Sequence, residues 1–501
     1  SGFVPSVTFQ SVVVFAKKSI GVHVSSEEQF LFCKKKKKNP KNPTHVRRVA
    51  NSYMKNVKIV NTFVILYSHF VKHAVVTRRW CRFRMQNANF SQIDGVIPKE
   101  VIAPSLVSEI QNFLDHAVKK KMSIIPAGNG SKLSIGNPPG QIDFLLTMKK
   151  FYKVIEYIPD DLTITVGSGM LLKDVQEILA DNNQLLPTNP PYNNESTVGG
   201  IVATNSSGPY RLRYGTTRDL VLGLRVVQAS GTIIKAGGKV VKNVAGYDIN
   251  KLYIASYGTL GIITEVSFKL FPKPAIERTM LLNFNQHGSA LRVATKISQS
   301  QLLPVFVSFF SAGIPDTEVL DPCLLVGIDG HPKAVDWQID QINSIANLNG
   351  VAKKEVYKDH KQSQLRSRLC AFPEGKWSNP VVVSRINIRP SDVGNFISSV
   401  LDIASPFSVY VMSHVGNGIV YLILSDFIEE QVGLLANTLT VLRNQVANIG
   451  GNLILEIAPL GLKNLMDVWG EVGKKSQLMT QIKSELDPTN VFNPGRFVAG
   501  I

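Results

Sequence analysis

Between Ile125 and Gly136 the chain reads Ile-Pro-Ala-Gly-Asn-Gly-Ser-Lys-Leu-Ser-Ile-Gly, an apolar stretch that runs into glycines at 128, 130 and 136. Glycine lets main-chain N–H groups turn inward and approach an anion closely. Ser131 adds a hydroxyl donor and Lys132 a positive charge, so the run from Pro126 through Gly128, Asn129 and Gly130 to Lys132 suits a pyrophosphate. The spacing is neither the Gly-x-x-x-x-Gly-Lys-Ser/Thr of a P-loop nor the Gly-x-Gly-x-x-Gly of a Rossmann turn. Gly167-Ser168-Gly169 fails the Rossmann test as well, because Leu172 stands where the third glycine belongs. Alone, the loop reads equally well as an ordinary surface turn.

Three further stretches share its character. Leu186 to Gly208 carries Pro187, Pro190, Pro191, Thr197, Gly199, Gly200, Asn205, Ser207 and Gly208. Prolines stiffen such turns, and a backbone so poor in side chains can pack against a flat ligand. Gly237-Gly238-Lys239 leads into Val241-Lys242-Asn243-Val244-Ala245-Gly246-Tyr247-Asp248. Gly258, Gly261 and Ile263 then join a glycine turn to an apolar strand.

The elements that must hold these turns are legible around them. Helical spacing over 105–120 places Leu106, Ile110, Phe113, Leu114 and Ala117 on one face, and 171–182 is a second amphipathic helix. Strands are expected at 122–125, 144–148 and 260–270, a half-buried one at 162–166, and a hairpin at 221–235 around Ala229-Ser230-Gly231. Residues 275–450 alternate strands (302–310, 381–388, 409–413) with helices (336–345, 430–449), which predicts a second α+β domain. A helix at 474–486 precedes Asp487-Pro488.

The chain has 501 residues, 44% hydrophobic and 18% charged, enough for two or three domains. A formal charge of +18 suggests nucleic acid or membrane, but its distribution argues against both as roles of the body. Residues 1–85 hold 17 Lys and Arg against Glu27 and Glu28, and the remainder carries 38 basic against 35 acidic groups. For the basic segment three readings stay open: upstream sequence ahead of a start at Met85 or Met54, an organelle transit peptide, or a basic arm for an acidic surface. Cys33, Cys81, Cys323 and Cys370 show no Cys-x-x-Cys spacing, which argues against an iron–sulfur cluster or zinc site in this chain and fits a reducing compartment.

In order and spacing, the four glycine-rich stretches resemble the FAD-binding domain of the vanillyl-alcohol-oxidase type, also called the PCMH type. The resemblance covers 94–274. It implies an α+β fold with two lobes, FAD between them, a second α+β substrate or cap domain at 275–455, and a C-terminal helical segment at 456–501 that returns to the FAD domain. It places Pro126–Lys132 on the pyrophosphate, Thr197–Gly200 and Asn205–Gly208 around the isoalloxazine and the remaining phosphate contacts, and Gly258, Gly261 and Ile263 near the flavin or adenine. Relatives that attach the flavin covalently use a His in the first loop; Gly128-Asn129-Gly130-Ser131 has none, so a non-covalent FAD is expected.

Val241–Asp248 and Val491-Phe492-Asn493-Pro494-Gly495-Arg496 look most like the FAD-binding subunits of glycolate oxidases. That resemblance implies oxidation of a small 2-hydroxy acid, a larger flavin subunit and an iron–sulfur subunit as partners, no nucleic acid, and a cytoplasmic site with at most peripheral membrane association through those partners. His414-Val415-Gly416-Asn417-Gly418 is similar to the His-x-Gly-Asp-Gly-Asn-x-His element of related dehydrogenases, but Asn417, Ile419 and Tyr421 replace its Asp, Asn and second His. His414 is thus a weak catalytic candidate, read first as a satisfied strand histidine, and no metal is expected. Arg496 is expected to order the tail through an ion pair. Arg211, Arg213 and Arg218 follow the second loop and could meet phosphate, carboxylate or solvent.

Overall fold

Sequence alternation and helical periodicity resolve into four sheets in the computed structural model, which describes residues 92–501 apart from 239–246, 375–376, 378–379 and 405. These residues belong to one compact unit, Asn87–Ile501. The basic segment at 1–85, Cys33 and Cys81, and most of the Val241–Asp248 motif lie outside the described residues.

Strand β1 (Glu100–Ile102) leads into helix α1 (Val107–Lys119), which buries Ile110, Leu114 and Ala117. Its start is fixed by Glu109, whose carboxylate accepts the Ser105 and Leu106 N–H groups at 2.6 and 3.2 Å, satisfying donors that the first turn leaves open. Strands β2 (Ile124–Ala127) and β3 (Phe144–Thr147) complete a parallel three-stranded sheet in the order β1-β3-β2. A parallel sheet covered on both faces needs near-continuous apolar strands, and β3 is buried throughout.

The second lobe is an antiparallel sheet in the order β4-β5-β9-β7-β8, from β4 (Val154–Ile158), β5 (Thr163–Gly167), β7 (Val221–Val227), β8 (Ile233–Gly237) and β9 (Ile262–Lys269). A two-residue strand, β6 (Gln184–Leu185), pairs with β10 (Phe271–Pro272). The β7–β8 hairpin turns at the expected place, where Gly231 adopts φ +76° and its N–H reaches the Gln228 carbonyl at 2.9 Å. Strand β5 departs from expectation: its polar face is buried as well, because Thr165 pairs with Ser267 of the neighbouring strand at 2.8 Å. Helices α2 (Leu172–Ala180) and α3 (Val198–Thr204) connect this lobe to the glycine-rich turns.

The second domain is an eight-stranded antiparallel sheet in the order β14-β11-β13-β12-β16-β17-β15-β18. Its strands are β11 (Ile276–Phe284), β12 (Phe306–Phe310), β13 (Cys323–Gly330), β14 (Val351–Tyr357), β15 (Val381–Asn387), β16 (Ser408–His414), β17 (Ile419–Ser425) and β18 (Asn452–Ile457). Side chains alternate across a strand. Met280, Leu282, Val326, Leu422 and Leu424 therefore face α4 (His287–Ser298), α5 (Pro332–Asn347), α7 (Val393–Ile403) and α8 (Val432–Asn448). Leu281, Phe306, Leu325, Met412 and Tyr421 face the opposite way, toward α6 (Asp359–Ala371) and toward Tyr210 and Tyr214 of the first domain.

After α9 (Lys475–Leu486) the chain returns to the first domain. Phe492 pairs in parallel with Ile124, and the buried Lys483 ammonium donates to the carbonyls of Thr259 and Phe492 and to the Asp487 carboxylate. No helix among the described residues is long and apolar enough to cross a membrane.

Candidate functional site

The loop that follows β2 is built from glycines whose roles differ. Gly130 holds φ +87°, a conformation that favours glycine. A Cβ on Gly128 would stand 1.9 Å from the Thr197 hydroxyl oxygen, and one on Gly199 would stand 2.7 Å from the Ser168 Cβ. These positions are bare so that the first loop, the 167–169 turn and the start of α3 can close on one another. Thr197 caps α3 by accepting the Gly200 N–H at 3.3 Å. Across the gap, Tyr257 and Gly258 take φ +51° and +72°, setting Gly258 against the Pro126 ring.

These turns enclose a cleft of about 890 Å³ open to solvent. Of the residues singled out from sequence, Pro126, Gly128, Asn129, Gly130, Ser131, Lys132, Thr197, Gly199, Gly200, Gly258, Gly261 and Ile263 line it. Within the described residues, the main-chain N–H groups of Gly128, Asn129, Gly130 and Ser131 find no acceptor in the protein. Ser168 contributes a buried hydroxyl to the same wall, also without a partner. Four donors without a protein acceptor and a buried, orphaned hydroxyl, a group that rarely goes unpartnered, are what a pyrophosphate would satisfy. The residues present thus fit a dinucleotide.

A second chamber adjoins the first, sharing Ser131, Lys132, Ile135, Thr204 and Tyr257. Asn205 and Ser207 line it, yet their side-chain oxygens already accept from the N–H groups of Arg218 (3.0 Å) and Thr217 (2.8 Å). Gly208 lines neither chamber; a Cβ there would meet the Asn189 carbonyl oxygen at 1.8 Å, so its glycine serves backbone approach. Gly261 borders the first chamber but is likewise required by packing, against Val226.

The second chamber is floored by the eight-stranded sheet. Arg385 on β15 donates to Glu456 on β18 at 2.6 Å, and Tyr421 on β17 lies beside them. Tyr257 packs against Trp469 and Phe497 of the C-terminal segment with ring centroids 4.8 and 5.2 Å apart. Burial pushes its hydroxyl up to about 12, partly offset by the Arg385 guanidinium. Of the three arginines after the second loop only Arg211 lines the chamber; Arg213 donates to the Leu303 carbonyl and Arg218 to that of Lys251.

His414 stays out of both chambers. It is buried within the sheet, its Nδ1 lies 2.9 Å from the Ser308 hydroxyl, and its ring meets Tyr421 edge-on. Burial, reinforced by nearby Arg211, pushes its pKa down to about 3.

Arg496 corrects its expected role. The buried guanidinium donates to the carbonyls of Leu133 (2.5 Å), Ile135 (3.1 Å) and Asn137 (3.3 Å), not to a carboxylate, and borders the first chamber together with Asn493. An arginine in a C-terminal segment carries no sequence mark of such a contact. Ser168 was visible in its Gly-Ser-Gly setting, but only as a failed Rossmann turn. Arg385 and Glu456 gave no signal, because long-range pairing alone brings them together, and Tyr257 stood out only as a neighbour of the Gly258 turn.

Residues 98–237 match the sequence family described as FAD binding domain, and 273–497 match the C-terminal domain of FAD linked oxidases. The chain is 27% identical over 425 residues to the glycolate oxidase subunit GlcD of Bacillus subtilis, covering 80% of this chain and 89% of that protein. It is 36% identical over 197 residues to the glycolate oxidase subunit GlcE of Escherichia coli, 39% of this chain and 54% of that one. D-lactate dehydrogenase of Archaeoglobus fulgidus is 26% identical over 413 residues, 79% of this chain and 91% of its own length. Among solved structures, p-cresol methylhydroxylase with substrate bound superposes with a TM-score of 0.62 at 16% identity, over 81% of this chain and 91% of that one. An alkyldihydroxyacetonephosphate synthase does so at 0.61 and 18%, over 79% and 77%.

Proposed function

We propose that this chain, which belongs to the FAD-linked oxidases and is an FAD-dependent oxidoreductase, oxidises a small 2-hydroxy acid as the flavin subunit of a glycolate oxidase-like complex. The observation that carries the reading is the set of four unpaired N–H groups at Gly128–Ser131, opening through Lys132 and Tyr257 into a chamber that bears arginines. Bound FAD would supply the hydride acceptor that such an oxidation needs. The first loop and Ser168 hold its pyrophosphate, and Lys132, which bonds Ser206 at the joint, adds a compensating charge. Thr197, Gly199 and Gly200 offer a flat wall, and Tyr257 separates the dinucleotide from the substrate side. With no His or Cys in the first loop, FAD is held without a covalent bond.

The relatives named as glycolate oxidase subunits support a larger flavin subunit as partner. An iron–sulfur subunit that takes the electrons onward completes the proposal, since this chain has no Cys-x-x-Cys spacing. A second reading, an FAD-holding subunit that does not itself turn over substrate, is favoured by one specific observation. No imidazole lines either chamber, and the carboxylate that does, Glu456, is paired with Arg385. A base near the substrate hydroxyl is therefore not in evidence among the described lining residues.

One preparation tests both. After acid precipitation of the yellow protein, FAD in near-stoichiometric amount is expected in the supernatant; a folded protein that stays colourless when soaked with FAD ends the proposal. Bleaching of the flavin by glycolate or D-lactate with the purified chain alone supports turnover by this subunit. A yellow protein inert to both, but active when mixed with its partners, establishes the second reading. Robust peroxide formation by the isolated chain would instead mark a stand-alone oxidase.

A further inference from the structure

The relatives' names span substrates of two charge types: glycolate and D-lactate carry one carboxylate, D-2-hydroxyglutarate carries two. The charges around the second chamber bear on which type this chain accepts. The lining cations are Lys132, Arg211 and Arg385, and the lining anion is Glu456. Lys132 also lines the dinucleotide cleft and bonds Ser206 at the joint between the chambers. Arg385 is taken by Glu456 at 2.6 Å and by the Asn387 amide oxygen at 3.1 Å. That leaves Arg211. Among the described residues no acceptor holds its guanidinium, and the carboxylate that offsets it in part, Asp219, is spent on the Thr216 N–H (2.7 Å) and hydroxyl (2.8 Å).

Arg211 is also presented rigidly. Its neighbours on both sides are fastened to the sheet of the second domain. The Tyr210 ring stacks on Phe306 at 6.1 Å and 3°, and its hydroxyl lies 3.1 Å from the buried Arg366 guanidinium. Leu212 sits against Gly416 so closely that a Cβ there would stand 2.9 Å from its methyl group, and Arg213 is tied to the Leu303 carbonyl at 2.9 Å. A planar guanidinium with open donors, carried on a fastened backbone, is suited to bidentate recognition of a carboxylate.

Resting on the flavin reading above, we propose that Arg211 is the carboxylate-binding residue of the second chamber, and that Glu456, by neutralising Arg385, restricts that chamber to acids bearing a single carboxylate. A second carboxylate would meet the Glu456 charge with no cation left to receive it. Like charges brought together away from bulk water repel strongly.

The test uses the full FAD-loaded chain, titrated with glycolate (one carboxylate) or tartronate (two) while the flavin absorbance is followed. Wild-type protein is expected to bind glycolate at least about tenfold more tightly than tartronate. Arg211→Met should weaken glycolate about 30-fold or more with FAD content unchanged, and Arg211→Lys should recover part of the loss. Glu456→Gln frees Arg385 and should shift the preference toward tartronate about tenfold. If that variant does not retain flavin, the charge-neutral pair Arg385→Met with Glu456→Met serves, and should lose most of the discrimination against tartronate because the Glu456 charge is gone. Normal glycolate binding by Arg211→Met overturns the proposal, as does an unchanged preference in Glu456→Gln or in the double variant, or a wild-type spectrum that ignores both acids. Glycolate binding without bleaching would sink turnover by this subunit and leave the carboxylate site standing. Bleaching that is indifferent to residue 211 would sink only the site.

Discussion

The Arg496 guanidinium lies 2.5 Å from the Leu133 carbonyl oxygen, so a residue five positions from the end of the described chain forms part of the wall behind the first glycine loop. Ile135 and Asn137 give the same group two more carbonyls, and Trp469 Nε1 donates to the Arg496 carbonyl at 2.8 Å. The first glycine loop is thus shaped from behind by the C-terminal segment.

Arg496→Met should release FAD and lower stability together. It strands three carbonyls that have limited access to water, at about 1–3 kcal/mol for each one left unsatisfied. Thermal melts with and without added FAD check this. A variant that melts like wild type and keeps its flavin would show that the loop holds its own shape.

Gly128→Ala is expected to cost about 1–3 kcal/mol and most of the FAD affinity. The new methyl would stand 1.9 Å from the Thr197 hydroxyl oxygen and 3.0 Å from its Cβ. Thr197 cannot swing away cheaply, because it is buried and caps α3. Gly140→Ala is the control: no atom lies within 4 Å of the added Cβ, so melting and flavin content should match wild type. Equal behaviour of the two variants would remove the steric argument for the first loop.

Lys483→Met should destabilise the protein by about 3–5 kcal/mol, because it leaves the Asp487 carboxylate buried without its cation. The ammonium donates to Asp487 at 2.7 Å, to the Thr259 carbonyl at 2.9 Å and to the Phe492 carbonyl at 2.8 Å. It joins α9, the tail and the Gly258 turn at one point. Urea unfolding measures the loss; a change below 1 kcal/mol would mean that water reaches this pair.

What the sequence disclosed and what it withheld divide along sequence distance. Helix α1 was legible from Ile110, Leu114 and Ala117, and the β7–β8 hairpin from Ala229-Ser230-Gly231, because each is a local pattern. The first loop drew notice only in company with the three other glycine-rich stretches, since alone it reads equally well as a surface turn. Strands β11, β13 and β17 were not singled out, since Met280-Leu281-Leu282 and Ile419-Val420-Tyr421-Leu422 are apolar on both faces of the sheet and show no clean alternation. Arg385 and Glu456 were silent for a different reason. Their meeting depends on β15 and β18 being neighbours, a pairing of strands about 70 residues apart that nothing local announces.

His414 should make the protein acid-sensitive without taking part in chemistry. Its pKa is pushed below the ordinary 6.5 to about 3, first by burial and then by Arg211, so the folded state keeps the ring neutral. The unfolded chain binds a proton near pH 6.5 and the folded one does not until about pH 3; stability is therefore full above 6.5 and falls as pH drops through that window. Each pH unit inside it is worth about 1.4 kcal/mol, so lowering the pH from 6.5 to 5 should narrow the gap between wild type and His414→Gln by about 2 kcal/mol. Because the ring bonds Ser308 and lines neither chamber, the substitution should leave carboxylate binding intact. Unfolding curves at the two pH values, read beside glycolate titrations, decide the matter. Parallel pH dependence in both proteins would mean that the imidazole is not shielded. Lost flavin reduction at unchanged stability would return His414 to the chemistry.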